Sequence, residues 1–449
     1  MGSESTAFLF STPEMTETFS FLRQLRAMMR FEWALTCALE KQGIAEAGSG
    51  RVLEKLLDAR FVEKELLERD AFEAGNIAIP FVNQLTAEVK RENEPAARAI
   101  HLGATSQDVL DTALVLQMQE ALRLILAVID RLDLALAKQV QTHAETVMTG
   151  RTWLQPGPPT TFGLKLAGTL AALRRHRARI HAAADRALVV QFGGAVGTLA
   201  ALGSAGIEVS TELARILELK EPEIPWHTQR DNLAEMAEVL ALLVGSLGKF
   251  AKDIALLMQT EVGEASEPTG EGRGSSSTMP QKQNPVACAT VLACGARAPG
   301  LVATMLVAMP QEHERGLGLW QAEWETLPEI FQLAASALAR SIEIIDGLKV
   351  DANRMASNLD ATLGRAQSEA VSAALAQRVG RVAAHEILRR AIAKSRETGQ
   401  HLSVILKTIP EVTAHLTDSE IDLLLQPRAY LGSTRHFIKR VLTAPDAHR

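Results

Sequence analysis

The sequence predicts an all-α protein of three consecutive helical domains, and three observations predict it. Hydrophobic residues make up 47% of the 449-residue chain and aromatic ones only 4%, so Ala, Leu, Val and Ile must fill the interior, as in close-packed helices. No glycine or proline interrupts the stretch between Gly103 and Gly150, where Leu114, Met118, Leu122, Ile125, Ile129, Leu132, Leu136 and Val140 recur every three or four residues. No run alternates for long with the two-residue period of a sheet.

An N-terminal domain over 1–110 reads as shorter helices, such as 15–41 and 51–74. A central domain over 111–350 reads as a bundle of long helices. The helix before Gly150 also carries Leu116, Leu124, Leu126, Val128 and Leu134 off its main stripe, so it is apolar on more than one face. Another follows Asp231, with Leu233, Met236, Leu240, Leu243, Leu247, Ile254 and Leu257, and others span 161–188, 286–309 and 325–348. Apolarity on several faces points to burial against other subunits. The very apolar stretch 187–207 is broken by Gln191, Gly193, Gly194, Gly197 and Gly203, so it is expected as a buried loop and not a membrane span. In a C-terminal small helical domain over 351–449, Asp351, Gly364, Gly399, Pro410 and Pro427 punctuate short helices.

Charge and composition exclude several classes of function. The chain has 47 Lys plus Arg against 53 Asp plus Glu, a net charge of -6, and no basic run, which argues against nucleic-acid partners. Cys37, Cys288 and Cys294 make neither a disulfide framework nor a zinc knuckle, and are expected as reduced thiols in a cytoplasmic protein. The N-terminus has Glu4 and no Lys or Arg ahead of its few apolar residues, unlike a signal peptide. No membrane partner, metal or cofactor is expected.

Three polar clusters each lie just before a long helix, where free backbone N–H groups favour anions. The first, HLGATSQD over 101–108, offers Thr105, Ser106 and Gln107 as donors, though taken alone it reads more readily as a plain helix cap. The second, GRTWLQPGPP over 150–159, offers Arg151, Thr152 and Gln155 in what reads as a proline-stiffened loop, with Trp153 either a packing or a functional residue. The third, GEGRGSSSTMPQKQNP over 270–285, is a Gly/Ser-rich segment running into Met279, Lys282 and Asn284. A flexible loop ending in a lysine and an amide suits a lid that closes on a charged substrate and brings its own catalytic groups. It lacks the Gly-Lys-Ser/Thr ending of a phosphate-binding P-loop.

GSSSTMPQKQNP resembles the signature loop of the fumarase/aspartase superfamily at Ser276, Ser277, Met279, Pro280, Lys282, Asn284 and Pro285, and the other clusters resemble that superfamily's first two active-site blocks. Within it, GRTWLQ, QFGGAVGTLAALG, PWHTQRDNLAE, LGKFAKDIALLMQTEVGE and MPQEHERGLGLWQAEWETLPE look like the branch of bacterial 3-carboxy-cis,cis-muconate lactonizing enzymes, or cycloisomerases. The resemblance implies a cofactor-free homotetramer whose active sites are assembled from three subunits and work through an aci-carboxylate. It implies that Ser276 transfers a proton, that Lys282 and Asn284 stabilise the aci-carboxylate, and that Thr105, Ser106, Thr152 and Gln155 bind substrate carboxylates. Ser277, Met279 and His101 join the expected substrate-binding set, Arg315 is expected to clamp a carboxylate, and Trp153 to form a flat apolar wall. Whether Ser276 or Lys282 delivers the proton stays open, as does a structural or a site role for His101, His227 and His313.

The departures from the superfamily pattern are informative. Members that release water or an amine have Thr-His in the second block and a Glu five residues beyond the Asn of the third loop; Trp153 and Ala289 stand here instead. Hydroxide or an amine anion must be protonated as it leaves, and a positioned acid contributes about 100- to 10,000-fold. A carboxylate, with a pKa of about 4, leaves unprotonated, so opening or closing a lactone requires no such acid. Pro156 and Gln281 stand where relatives often have histidines, and Ser275 where the loop usually has Gly. The expected function is therefore a cycloisomerase interconverting 3-carboxy-cis,cis-muconate, a tricarboxylate, and 4-carboxymuconolactone in protocatechuate breakdown. The alternatives are a C–N or C–O lyase acting on a succinyl substrate with fumarate release, as in adenylosuccinate lyase, and a catalytically idle helical scaffold.

Overall fold

Ser20 accepts the backbone N–H of Arg23 at 3.3 Å and so starts α1 (Phe21–Lys41) as a separate helix, with a shorter one (Pro13–Thr18) before it. The expected single helix over 15–41 is thus two, and the one over 51–74 is likewise divided into Ser49–Glu54 and Lys64–Ala74. At Ser20 a side-chain cap interrupts a stripe whose period alone looks continuous. The computed structural model describes residues 4–444 except 271, 276, 277, 280 and 281.

The long elements are α2 (Ser106–Thr142), α3 (Phe162–Ala187), α4 (Gly206–Leu217), α5 (Asp231–Leu257), α6 (Val286–Ala308) and α7 (Leu319–Asp346); α3, α5 and α6 keep close to the apolar stripes, α7 starts six residues before the expected 325, and α4 is a helix that the sequence reading did not include. The C-terminal stretch continues as short helices, beginning with α8 (Ala352–Asp360), α9 (Ser368–Val379) and α10 (Arg381–Thr398). Of the stretch 187–207, residues 190–194 are buried as expected; residues 195–196 are exposed, and Ile207, at the start of α4, is 68% exposed.

One expectation is corrected. The second polar cluster is no simple loop but part of an antiparallel hairpin, β1 (Val147–Thr152) with β2 (Gln155–Thr161), in which Thr152 faces Gln155 across the two-residue connection Trp153-Leu154. Prolines 156, 158 and 159 argue against a strand in a wide sheet, but a two-stranded ribbon has a free edge on each strand, where a missing N–H costs little. A second small ribbon joins β3 (Ala265–Ser266) to β4 (Lys349–Val350).

The chain divides into two compact units. One comprises Met1–Val128, His176–Gly245 and Ala293–Ala339; the other Ile129–Arg175, Ser246–Leu292 and Arg340–Arg449. In the first, Met28, Met29, Phe31, Leu35 and Leu39 of α1 pack with Val109 and Ala113 of α2 and with Val209, Leu213 and Leu217 of α4, and the Phe31 and Phe192 rings meet at 6.4 Å. In the second, Val371, Leu375, Ile387, Leu388, Leu402, Ile405, Val412 and Ile421 form a local core. Among the described residues two helices, α2 and α6, are long and apolar enough to cross a membrane by length and composition; 56% of the apolar window of α2 is buried within the protein, against 28% for α6.

Candidate active site

In the first unit the site is built around one carboxylate. Asp108, fully buried in the first turn of α2, accepts the backbone N–H of Thr105 at 2.9 Å, those of Gly193 and Gly194 at 3.1 and 2.9 Å, the Gln191 amide at 3.0 Å, and contacts His227 Nε2 at 2.7 Å. Gly194 has φ +71°, and a side chain there would meet the Gly103 carbonyl oxygen at 2.9 Å, so only glycine brings this backbone N–H to the carboxylate. The bond from Thr105 N–H to a side chain three residues on is the second half of a capping box.

Gln107, one position before Asp108, is fully buried and engaged at both ends of its amide. Its Nε2 donates to Asp111 at 3.1 Å and to the His227 carbonyl at 2.8 Å, and its Oε1 accepts Arg315 Nε at 2.7 Å. Arg315 also donates through Nη1 to Thr105 Oγ1 at 2.7 Å, and its Nη2 makes no hydrogen bond among the described residues. Burial lowers the Arg315 pKa against the pull of Asp108 and Asp111, yet a guanidinium stays charged at neutral pH. The structure therefore brings Thr105, Gln107 and Arg315 together, with Ser106 half-buried as the first residue of α2. His313 is exposed and contributes its carbonyl to Thr228 at 3.0 Å.

Arg230, whose charge could otherwise attract an anionic substrate, is fully engaged within the protein. Its buried guanidinium donates to Asp111 at 2.7 and 3.0 Å and to Glu323 at 2.5 to 3.1 Å. Burial opposes its charge, but Asp111 and Glu323 outweigh that and raise its pKa. Trp320 Nε1 donates to Asp111 at 3.0 Å and Gln311 to Glu323 at 2.8 Å, which extends the buried polar network.

In the second unit Arg151 is also occupied: it donates in a fork to buried Glu264 at 2.8 and 2.6 Å, and Asn358 donates to the same carboxylate at 2.8 Å. Its neighbours Thr152, Trp153, Leu154 and Gln155 project at the hairpin tip, with Trp153 97% exposed. Trp153 and Leu154 have φ of +54° and +62°, the left-handed pair that a two-residue hairpin turn requires and that Asn-Gly usually supplies. Two non-glycine residues held so are locally strained.

In the third cluster Gly274, at φ +63°, lets the loop fold back: its carbonyl accepts the Asn284 N–H at 2.9 Å, and a side chain would come within 2.5 Å of the Asn284 oxygen. Lys282 N–H donates to the Met279 carbonyl at 3.0 Å, closing the turn that carries both. Met279, Lys282 and Asn284 line a cavity of about 1200 Å³, together with Gln259, Ser266, Lys349 and Asp351, which motif reasoning did not single out. Lys282 is exposed there and pairs with no carboxylate among the described residues. Behind the loop Glu267, 1% exposed, caps α6 by accepting the Ala287 and Cys288 N–H groups at 3.0 and 2.9 Å. Burial first, and Glu267 second, raise the Cys288 thiol pKa. Ser276, Ser277 and Gln281 lie outside the described residues.

Residues 53–300 match a family model described as Lyase, and residues 364–441 one described as Adenylosuccinate lyase C-terminus. The chain is 49% identical to a 3-carboxy-cis,cis-muconate cycloisomerase of Pseudomonas aeruginosa over 98% of its own length and 96% of that protein's. It is 42% identical to one of Acinetobacter baylyi, over 98% of each chain. The crystal structure of 3-carboxy-cis,cis-muconate lactonizing enzyme from Pseudomonas putida superposes with a TM-score of 0.92 at 46% identity, covering 98% of both chains.

Proposed function

Because the chain belongs to the fumarase/aspartase superfamily of lyases and has its all-α fold, we propose that it is a cycloisomerase interconverting 3-carboxy-cis,cis-muconate and 4-carboxymuconolactone in aromatic-compound catabolism. The observation that carries this reading is the full-length likeness to relatives of that name. The absence of the acid-and-carboxylate relay, with Trp153 and Ala289 in its two positions, supports it and disfavours a fumarate-releasing lyase.

In the lactonizing direction one substrate carboxylate attacks the double bond conjugated to another. The nucleophile belongs to the substrate, so the protein's tasks are to fold it, hold its charge and protonate a carbon of the enolate. Arg315 and Thr105, fixed edge to edge, hold one carboxylate, with Ser106 beside them. Lys282 and Asn284 stabilise the enolate, Ser276 or Lys282 supplies the proton, and Ser277, Met279, Thr152 and Gln155 complete the lining. Trp153 forms its apolar wall.

We further propose a cytoplasmic homotetramer with sites shared between subunits, built on helical domains 1–110, 111–350 and 351–449. Two features support the assembly: α6 leaves Leu306 and Val307 44% and 69% exposed, and the hairpin carries Trp153 and Leu154, 97% and 72% exposed, between Thr152 and Gln155. Exposed apolar surface of this kind marks an interface. A spectrophotometric assay with 3-carboxymuconate beside unsubstituted muconate tests the activity; conversion of the first is expected, and conversion of neither overturns the assignment. Light scattering on the eluting protein tests the tetramer.

A further inference from the structure

His101 lies in the left-handed region with φ +58°, a conformation that strains a non-glycine residue. A single carboxylate holds it there. Glu32, in the middle of α1 and fully shielded from solvent, accepts the His101 backbone N–H through Oε2 at 2.9 Å and faces ring Nδ1 through Oε1 at 2.7 Å. Both oxygens of a buried anion are thus committed to one residue 69 positions away. No lysine or arginine pairs with Glu32 among the described residues, and a buried carboxylate without a cation is costly. An imidazolium opposite it makes the pair neutral.

With Nδ1 donating to Glu32, the ring's other nitrogen, Nε2, is left for a ligand, and the side chain keeps 23% of its surface exposed. The charged groups acting on the ring are Glu32 of α1 and Asp108 of α2. Burial is the largest single influence and opposes the charged form, but the two carboxylates together outweigh it and raise the imidazole pKa. The His101 carbonyl accepts the Ala104 N–H at 3.2 Å, so the ring belongs to the turn that delivers Thr105 to Arg315.

We propose that Glu32 is a positioning residue that fixes His101 as a cationic, Nε2-donating ligand for a carboxylate of the substrate. The proposal rests on the cycloisomerase reading for its substrate. It deepens that reading by giving His101 a charge state and by assigning a role to a core glutamate that no motif marks. A pair that merely ties α1 to the turn would leave substrate affinity and its pH dependence alone.

The test is Glu32→Gln beside His101→Asn in the full-length enzyme. Selective 13C labelling of histidine Cε1 gives the His101 titration, identified by its loss in His101→Asn. In Glu32→Gln that titration moves to lower pH. KM for 3-carboxymuconate at neutral pH rises roughly 10- to 100-fold in either variant, the worth of one charge-assisted hydrogen bond, while kcat changes far less. In the wild type KM climbs as pH rises through the His101 titration; in Glu32→Gln the climb starts at lower pH, and the double variant is no worse than His101→Asn. An unmoved His101 titration in Glu32→Gln overturns the proposal, and so does an unchanged KM in His101→Asn. If Glu32→Gln does not fold, the His101→Asn kinetics decide. Wild-type enzyme that turns over no carboxymuconate overturns the activity assignment instead, while the titration still reads the Glu32–His101 coupling.

Discussion

Around Thr105 the polar groups answer one another: Asp108 meets five partners, Gln107 uses both ends of its amide, and Arg230 is closed between two carboxylates. Around Lys282 the opposite holds, since its ammonium stands in a cavity of about 1200 Å³ and pairs with nothing among the described residues. The difference is one of preorganisation. A buried, densely bonded network fixes Arg315 in one place and stores stability in the same bonds. An exposed side chain with no partner stores little stability. The two regions should therefore fail differently.

The sharpest break is Arg230→Met, which leaves Asp111 and Glu323 facing each other as buried anions. Removing one partner from a buried ion network costs about 3–5 kcal/mol, so urea unfolding should shift by that amount; a shift below about 1 kcal/mol would mean that the network is dispensable. Next is Lys282→Met, expected to lower kcat by roughly 100- to 1000-fold with a melting temperature within about 2 °C of the wild type, since no bond in the described fold depends on it. Near-normal turnover would remove Lys282 from the chemistry.

A smaller, mixed effect distinguishes positioning from chemistry. Gln107→Leu strips Arg315 Nε of its acceptor and Asp111 of a donor, and should cost about 1–3 kcal/mol of stability and raise KM roughly tenfold with kcat little changed. Loss of kcat with KM unchanged would refute the clamp. The smallest effect lies outside the site, in the same unit. Arg215 chiefly, with Lys41, holds the Glu212 carboxyl down at about 2. Because its folded pKa lies below the unfolded value of about 4.3, its contribution is present above that value and disappears as pH falls towards 2. Arg215 and Lys41 are 67% and 58% exposed, so salt screens the contribution. In Glu212→Gln, melting temperature should fall less between pH 5 and pH 2 than in the wild type, and an identical fall would show the pair to be neutral.

The helices were legible in the sequence to within a few residues where a stripe ran unbroken, as in α3, α5 and α6. Caps at Ser20 and the start of α7 at Leu319 were less so, because one side-chain hydrogen bond can move a boundary without altering the period. The β1–β2 hairpin was not legible: its prolines and its Trp-Leu turn contradict local strand and turn preferences. Of the site, Thr105, Lys282 and Asn284 could be found from loop chemistry and resemblance. Asp108 carried a faint signal as the third residue after a capping Thr. Glu32 and Glu264 carried none, being charged residues inside ordinary helical or polar stretches.

The sequence alone therefore determined the all-α class and the motif that carries Lys282, since period and motif are local properties. Only the tertiary structure decided which cations are free. Arg151 and Arg230 look as available as Lys282 and Arg315 in one dimension, yet carboxylates 113 and 93 residues away engage the first two. A buried charge is silenced or activated by its partner, and partners that distant in sequence meet only when the chain is folded.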